Sequence, residues 1–206
     1  MRHILDKRFW VFDLDGTLTI PVHDFVMIRA TLGIPDGADI LSHLDSLPGE
    51  EAQPRHDWLE NVEMTLAAQT NPAPGACELV EFLFRRECRL GILTRNKREI
   101  AFLTLKQIGL DSYFAQEDVL GRDEALPKPD ADGIRKLASS WDTCPEELVV
   151  VGDYLHDLVA GHAAGAATIH VLGGRTCRWP EWTDLCVESL SELSELTMMT
   201  LQWPQS

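Results

Sequence analysis

The stretch FWVFDLDGTL, residues 9–18, decides the fold, because an unbroken apolar run leads directly into two carboxylates. Four consecutive apolar residues are typical of a central strand in a parallel sheet that is covered on both faces. Gly16 then permits a backbone conformation that residues with a Cβ atom resist. Ligands of open α/β sheets bind beyond the carboxyl ends of the strands, so we expect a functional site at Asp13 and Asp15. A polar turn after a strand is the plain alternative, since Asp and Gly are common in turns.

Composition restricts the class of protein. With 206 residues and 45% hydrophobic content, the chain is long enough for one well-buried domain with a modest insertion. A net charge of -15 argues against nucleic acid or an anionic membrane as a partner, because both would repel the chain. No stretch approaches the ~20 apolar residues of a membrane span, and the apolar run after Met1 is too short for a signal peptide. We therefore expect a cytoplasmic protein, either a monomer or a weak dimer.

The cysteines show no pattern that is typical of disulfides or of a zinc site. The chain has five, an odd number, and they are scattered without a CxxC pair. The pattern predicts neither disulfides nor a structural zinc site. We expect small core residues at these positions, which are Cys77, Cys88, Cys144, Cys177 and Cys186.

After Thr17 the alternation of strand and helix stops. Residues from about 20 to 71 offer only helical patterns, broken by Gly and Pro. The predicted helices are Val22 to Leu32, Ala38 to Leu47 and Glu50 to Gln69. We expect these pieces to form a small helical cap, residues 20–71, inserted into a core that consists of residues 1–19 and 72–206.

The α/β alternation resumes beyond the Pro-rich return near residue 72. Strands are predicted at Arg89 to Thr94, near Tyr113, at Glu147 to Gly152, at Thr168 to Leu172 and near Leu185 to Val187. Helices are predicted at Ala76 to Leu83, from an Asn96 cap to Gly109, from Pro127 through Leu137, from Leu155 to Ala164, and after a Ser189 to Glu192 capping box. This order predicts an α/β fold with a doubly wound parallel sheet.

Four separated motifs each end a strand or begin a helix. They are Asp13-x-Asp15-Gly16-Thr17, Thr94-Arg95-Asn96, Lys128-Pro129 and Gly152-Asp153-x-x-x-Asp157. In order and context they resemble the haloacid dehalogenase-like hydrolase superfamily, in the phosphatase branch that includes phosphoglycolate phosphatase. The resemblance covers about residues 9 to 193. It implies a Rossmann-like core with a helical cap inserted after the first strand.

The resemblance also implies roles for four residues. Asp13 would be the nucleophile that forms an aspartyl-phosphate, and Asp15 the acid and base that serves the leaving alcohol and the water. Thr94 would offer its hydroxyl to a phosphoryl oxygen, and Lys128 would neutralise the phosphoryl group. The sequence departs from the common KPxP pattern at Ala131, a change that concerns the shape of that loop and not its charge.

A metal ion completes the implied site. Mg²⁺ prefers oxygen ligands, and the resemblance implies coordination by Asp13, the backbone carbonyl of Asp15, and Asp153. Asp157 could hold a metal-bound water or cap a helix, and the sequence leaves both open. Several carboxylates without a counter-ion would repel one another, which favours a bound cation.

These motifs predict a Mg²⁺-dependent phosphatase that hydrolyses a small phosphorylated metabolite. A sugar phosphomutase on the same scaffold, a phosphoacceptor signalling domain and a binding protein without turnover are the alternatives. Dehalogenase activity is disfavoured because Asp15 would have no role in it. Further candidates for substrate contact are Arg95, His23, Arg55 and His56, with His156 at the rim and Trp179 and Trp182 packed at the core edge.

Overall fold

The computed structural model describes residues 2–202 and contains, among them, a six-stranded parallel sheet with helices on both faces. The strands are β1 (Phe9–Phe12), β2 (Arg89–Leu93), β3 (Val119–Leu120), β4 (Leu148–Gly152), β5 (Ala167–Val171) and β6 (Leu185–Val187). The helices are α1 (Arg2–Leu5), α2 (Phe25–Leu32), α3 (Ile40–Asp45), α4 (Gly49–Ala67), α5 (Ala76–Arg85), α6 (Arg98–Gln107), α7 (Asp132–Ser140), α8 (Leu155–Ala164) and α9 (Leu190–Gln202). The predicted α/β class with a doubly wound sheet is confirmed.

Strand β1 lies at the centre of the sheet. It pairs in parallel with β2 on one side and with β4 on the other. Trp10 and Phe12 belong to the apolar cluster on one face, whereas Val11 belongs to the cluster on the opposite face. All three side chains are fully buried, which explains why the sequence of this strand is continuously apolar.

The strand order determines where the expected functional site lies in the sheet. It runs β3-β2-β1-β4-β5-β6, so the chain winds outward from β1 in one direction and then from β4 in the other. The crevice between β1 and β4 is therefore the topological switch point, where doubly wound folds bind their ligands. Phe12 is paired with Val151, and the Asp13 N–H donates to the Val151 carbonyl at 2.9 Å. This register brings the residues after both strands to one edge of the sheet.

Helices α2 to α4 lie between β1 and β2 in the chain and share an apolar cluster of their own. Its buried members are Ile28, Leu32, Ile34, Leu41, Leu44 and Leu59. Two of the helices begin later than expected because aspartates cap them: Asp24 accepts the Met27 N–H, and Asp39 accepts the Ser42 N–H. The division into a core and a cap with boundaries at 20 and 71 stays a prediction, and this separate cluster supports it.

Several predicted elements are wrong. The chain near Tyr113 forms a 3-10 turn, and the third strand is Val119–Leu120, because the edge of β2 pairs there. The helix expected from Pro127 begins only at Asp132, since the preceding loop delivers Lys128 to the sheet edge. Helix α6 begins after Lys97 without a side-chain cap, so the capping role expected for Asn96 is wrong.

The box expected at the start of α9 forms in part. The Ser189 hydroxyl accepts the Glu192 N–H at 3.3 Å, as a capping box requires. The Glu192 carboxylate accepts the N–H of Glu188 at 2.6 Å, one residue earlier than predicted. Among residues 2–202, no helix combines the length and the apolar character that crossing a membrane would demand.

Candidate active site

Asp13 lies at the end of β1, half-buried against a lysine and a threonine. Its Oδ1 accepts a hydrogen bond from Lys128 Nζ at 2.5 Å. Its Oδ2 accepts one from the Thr17 hydroxyl at 3.2 Å. The Asp13 carboxylate is thus held by one donor from its own turn and by one from 115 residues away.

The turn after Asp13 passes very close to the end of β4. Gly16 has φ of 93°, and a Cβ atom built on it would lie 3.0 Å from both carboxylate oxygens of Asp153. A side chain at this position would crowd the Asp153 carboxylate and would also be strained by the positive φ. Glycine therefore lets the first motif and the fourth motif share one site.

Asp153 and Asp157 follow β4 and contact different partners. Asp153 Oδ2 pairs with Arg175 Nη2 at 2.8 Å. Asp157 accepts the Tyr154 N–H at 3.1 Å and pairs with Lys128 Nζ at 2.6 Å. Of the two roles left open for Asp157, the contact with the helix start is present, and the role toward a metal stays a prediction.

Lys128 bridges the two motifs. Its side chain is 4% exposed and lies between Asp13 and Asp157. Burial lowers the pKa of Lys128, but the two carboxylates raise it more, so the ammonium is held in its charged form. Lys128 reaches Asp13 although Ala131 stands where the family pattern has a proline.

Residues 94–96 line the opposite side of the same crevice. Thr94 is buried, and its hydroxyl accepts the Asn96 N–H at 3.1 Å. The Asn96 side chain donates to Asp15 Oδ2 at 2.8 Å, a contact that the sequence analysis missed. The signal was available: Asn96 stood in the second motif, but its spacing to Glu99 favoured a helix cap.

The carboxylates of this site resist ionisation. Burial, with the nearby Asp157, raises the pKa of Asp13 to about 6, although Lys128 opposes the shift. Burial and the neighbouring Asp13 raise the pKa of Asp15 to about 7. Burial likewise raises the pKa values of Asp153 and Asp157. Burial is the largest cause of each shift, and neighbouring carboxylates add to it.

The donor set fits a hard cation. Asp13, Asp153 and Asp157 each offer a carboxylate oxygen, and these three atoms all lie within 4.8 Å of one another. Clustered carboxylate oxygens with raised pKa values suit Mg²⁺, which keeps several waters and takes few protein ligands. The residues present thus fit the predicted magnesium ion.

A cavity of about 530 Å³ covers these residues, and the cap supplies its other wall. From the cap, His23, Arg29 and Asp39 line it, and from the core Arg95 and His156 do so. Arg95, a candidate for substrate contact, and His156, which was expected at the rim, both line the cavity, and Arg95 Nη1 lies 3.0 Å from His156 Nδ1.

Arg55 and His56 lie outside the cavity, so the expectation that they face the substrate is wrong. Arg55 pairs with Glu51 one turn earlier on α4, at 3.3 Å. His56 Nε2 lies 3.3 Å from Asp45. Both side chains therefore pair with carboxylates of α3 and α4 instead of lining the cavity.

Among residues 2–202, three ion pairs made by Arg or Lys join the predicted cap to the core, and sequence reasoning missed all of them. Arg95 pairs with Asp39 and Lys97 with Glu60, each at 2.6 Å. Arg122 Nη1 lies 3.0 Å from both oxygens of Glu63, with both side chains largely buried. Partners 37 to 59 residues apart leave no local pattern in a sequence.

The cysteines also differ from expectation. Cys77 and Cys88 pack against the main core, but Cys144 is exposed. Cys177 and Cys186 are half-buried, and their Sγ atoms lie 2.8 Å apart. Their nine-residue separation carries no metal or disulfide pattern, and β6 brings them together only in the folded chain.

Comparison with known proteins defines the class. The family model for haloacid dehalogenase-like hydrolases matches residues 27–171. An uncharacterized hydrolase of Saccharomyces cerevisiae is 34% identical, covering 90% of this chain and 88% of the relative. The chain therefore belongs to the haloacid dehalogenase-like hydrolase family, as the four motifs predicted.

Two further similarities bear on the branch and the fold. A phosphoglycolate phosphatase of Chromobacterium violaceum is 29% identical, covering 90% of this chain and 94% of that enzyme. The crystal structure of a hydrolase from Pseudomonas syringae matches with a TM-score of 0.74 and 23% identity, over 92% of this chain and 97% of that one. The predicted branch and the predicted fold are both confirmed.

Proposed function

We propose that this haloacid dehalogenase-type phosphatase uses Mg²⁺ to hydrolyse a small phosphorylated metabolite through an aspartyl-phosphate at Asp13. The observation that carries the proposal is the meeting of Asp13, Asp15, Lys128 and Asp153 in one cavity at the switch point of the sheet. Fold alone would not suffice, because one fold hosts many reactions. The reaction is assigned from the chemistry of these side chains.

In the first half-reaction the Asp13 carboxylate attacks phosphorus, and the bond from phosphorus to the leaving oxygen breaks. Lys128 neutralises charge on the phosphoryl oxygens, and the Thr94 hydroxyl and nearby N–H groups bind them. Asp15 gives its proton to the leaving alkoxide. A pKa of about 7 suits this step, because Asp15 then holds a proton in much of the population at neutral pH.

In the second half-reaction water attacks phosphorus of the aspartyl-phosphate. Asp15, now a carboxylate, takes a proton from that water, and the bond between phosphorus and Asp13 breaks. Orthophosphate leaves, Asp13 is again a carboxylate and Asp15 is again protonated. Asn96 orients Asp15 for both transfers through its 2.8 Å hydrogen bond.

The metal would be held by Asp13, the backbone carbonyl of Asp15, and Asp153, with Asp157 beside them. When bound, Mg²⁺ supplies positive charge that stabilises the phosphoryl oxygens and the carboxylate cluster. Arg175 pairs with Asp153, and this contact orients the carboxylate and limits its repulsion from Asp13. The cap excludes bulk water from the cavity during the transfer.

The cavity supports a small anionic substrate. Its volume of about 530 Å³ must hold the phosphoryl group, the metal and the rest of the substrate. Arg29 and His23 on the cap face that remaining space. A phosphorylated hydroxy acid or sugar of a few carbons, phosphoglycolate among them, fits the size and charge of this wall.

A screen of phosphorylated metabolites, with orthophosphate release as the readout, tests the proposal. We expect one or a few small phosphomonoesters to be hydrolysed with Mg²⁺ and none in EDTA, and we expect added Mg²⁺ to restore activity. Asp13→Asn should be inactive, whereas the surface variant Asp111→Asn should match the wild type. Isomerised substrate without orthophosphate would support a phosphomutase instead, and full activity in EDTA would refute the metal requirement.

A further inference from the structure

Three side chains with metal-binding atoms meet outside the acidic cluster. His170 on β5, Cys186 on β6 and Cys177 in the loop between these strands each offer one atom, and the three atoms lie within 4.8 Å of one another. His170 and Cys186 are paired positions of adjacent parallel strands, so their side chains lie on the same face of the sheet. We call this group the thiol–imidazole cluster.

One nitrogen of the cluster's imidazole lacks a hydrogen-bond partner among the described residues. His170 is 2% exposed, and its Nδ1 is buried without a hydrogen-bond partner among the described residues. Trp179 covers the ring, with centroids 5.3 Å apart. A buried polar atom left unpaired costs free energy, so this nitrogen calls for a ligand.

We propose that His170, Cys177 and Cys186 bind one Zn²⁺ ion. Two thiolates and an imidazole form a soft ligand set, which selects zinc over the magnesium that carboxylate oxygens prefer. Binding requires both thiols to release their protons to solvent, and the two sulfur atoms move apart to admit the ion between them. Both cysteines are partly exposed, which leaves a route for the ion and a fourth position for water.

A disulfide between Cys177 and Cys186 is the competing use of the same thiols. It would oxidise both sulfur atoms but would leave His170 Nδ1 without a partner. Zinc uses all three groups, and it would give the buried, unpaired Nδ1 of His170 a ligand bond that a disulfide would not. With zinc bound, the segment from Cys177 to Cys186 would be fastened to β5 and β6.

The position of the cluster gives the zinc a structural role. The loop that carries Cys177 also carries Arg175, whose guanidinium pairs with Asp153 at 2.8 Å. Fixing that loop to β5 and β6 would hold Arg175 beside the acidic cluster. The zinc site itself does not depend on the proposed phosphatase reaction.

Metal content of the purified full chain tests the inference. The chain is expressed and purified in reducing buffer without chelator, and zinc is measured by inductively coupled plasma mass spectrometry. We expect about one zinc per chain in the wild type and less than about 0.1 in Cys177→Ser, Cys186→Ser and His170→Asn. Cys144→Ser and Cys88→Ser are the matched controls and should keep the metal, as should Asp153→Asn.

A spectroscopic measurement on the unmutated chain covers the case in which a variant fails to fold. Co²⁺ added to zinc-free protein under reducing conditions should produce one equivalent of a thiolate-to-cobalt charge-transfer band, and Zn²⁺ should abolish it. Absence of both zinc and this band in folded wild-type protein would overturn the proposal. So would a Cys177–Cys186 disulfide that persists in the reducing buffer, detected as a linked peptide.

Discussion

At Asp15, two polar side chains, Asn96 and His23, lie close to the carboxyl group. Asn96 donates to its Oδ2 at 2.8 Å, and His23 Nδ1 lies 3.9 Å from its Oδ1. Burial lowers the pKa of His23, so this ring is mainly neutral and adds little positive charge. The raised pKa of Asp15 therefore reflects burial and the adjacent Asp13.

These pKa values predict a bell-shaped dependence of kcat/KM on pH. Asp13 must be ionised to attack, so kcat/KM should fall below about pH 6. Asp15 must be protonated to serve the leaving group, so kcat/KM should also fall above about pH 7. The charge of bound Mg²⁺ shifts both limbs to lower pH. The alkaline limb should weaken with p-nitrophenyl phosphate, because p-nitrophenolate is a weakly basic leaving group that needs less protonation. A flat profile between pH 5 and 9 would contradict these assignments.

Asn96→Ala should reduce kcat by about 10- to 100-fold, because the general acid loses the donor that orients it. The same change should move the alkaline limb to higher pH, since a donor to the ionised form lowers a pKa. Asn61→Ala is the matched control, because that amide lies on α4 and donates to the Asp57 carbonyl. If Asn96→Ala keeps both kcat and the pH profile of the wild type, Asn96 has no positioning role.

At the scale of residues, the sequence predicts those site residues whose positions follow from local patterns. Asp13, Asp15 and Asp153 follow apolar strands, and the strand ends of a parallel sheet meet at one edge. Asn96 and Arg175 escaped prediction because their partners are 81 and 22 residues away. The thiol–imidazole cluster escaped for the same reason, since it exists only after β5 and β6 pair.

At the scale of elements, the contact of α4 with the core rests on a buried ion pair. Arg122 and Glu63 have side-chain exposures of 10% and 8%. Burial raises the pKa of Glu63 more than Arg122 lowers it, so the pair specifies position rather than adding much stability. Sequence patterns predicted the helix α4 within two residues, but not which of its faces meets the core.

Arg122→Met should destabilise the chain by about 3 kcal/mol at pH 8, because it leaves the Glu63 carboxylate buried and unpaired. This loss in the free energy of unfolding should shrink toward pH 5. A carboxyl group whose pKa is raised in the folded state is destabilising once it ionises, and protonation removes that penalty. Arg55→Met removes an exposed pair on the same helix and should cost less than about 0.5 kcal/mol. Urea unfolding of both variants at the two pH values measures this, and equal losses for Arg122→Met and Arg55→Met would contradict it.

At the scale of the whole molecule, the net charge of -15 is partly concentrated in a crevice built for a cation. Asp13 and Asp15 have ordinary pKa values of 3.8 and folded values of about 6 and 7, so the folded state binds protons more tightly than the unfolded chain. Their contribution to stability is full below about pH 4 and is lost as pH rises through 6 and 7. The metal-free protein should therefore lose stability across this interval.

Mg²⁺ should reverse that loss. At a concentration of 100 times its Kd, it should stabilise the folded chain by about 2.7 kcal/mol at pH 7.5. The rise in Tm that Mg²⁺ causes should be smaller at pH 5.5, because protons compete for the same carboxylates there. Asp153→Asn should abolish most of the shift, whereas Asp57→Asn on the surface of α4 should not. Equal Mg²⁺ shifts in the wild type and in Asp153→Asn, measured by calorimetry, would place the ion elsewhere.

The most direct test of the central claim is a rapid-quench experiment with a hydrolysed substrate and Mg²⁺, followed by peptide mass spectrometry. We expect a phosphoryl group on Asp13 early in turnover and its decay as orthophosphate appears. Asp15→Asn should change the amount or lifetime of this species, and Asp13→Asn should eliminate it and lower kcat by more than about 1,000-fold. Orthophosphate release without phosphate on Asp13, or substantial turnover by Asp13→Asn, would contradict the account.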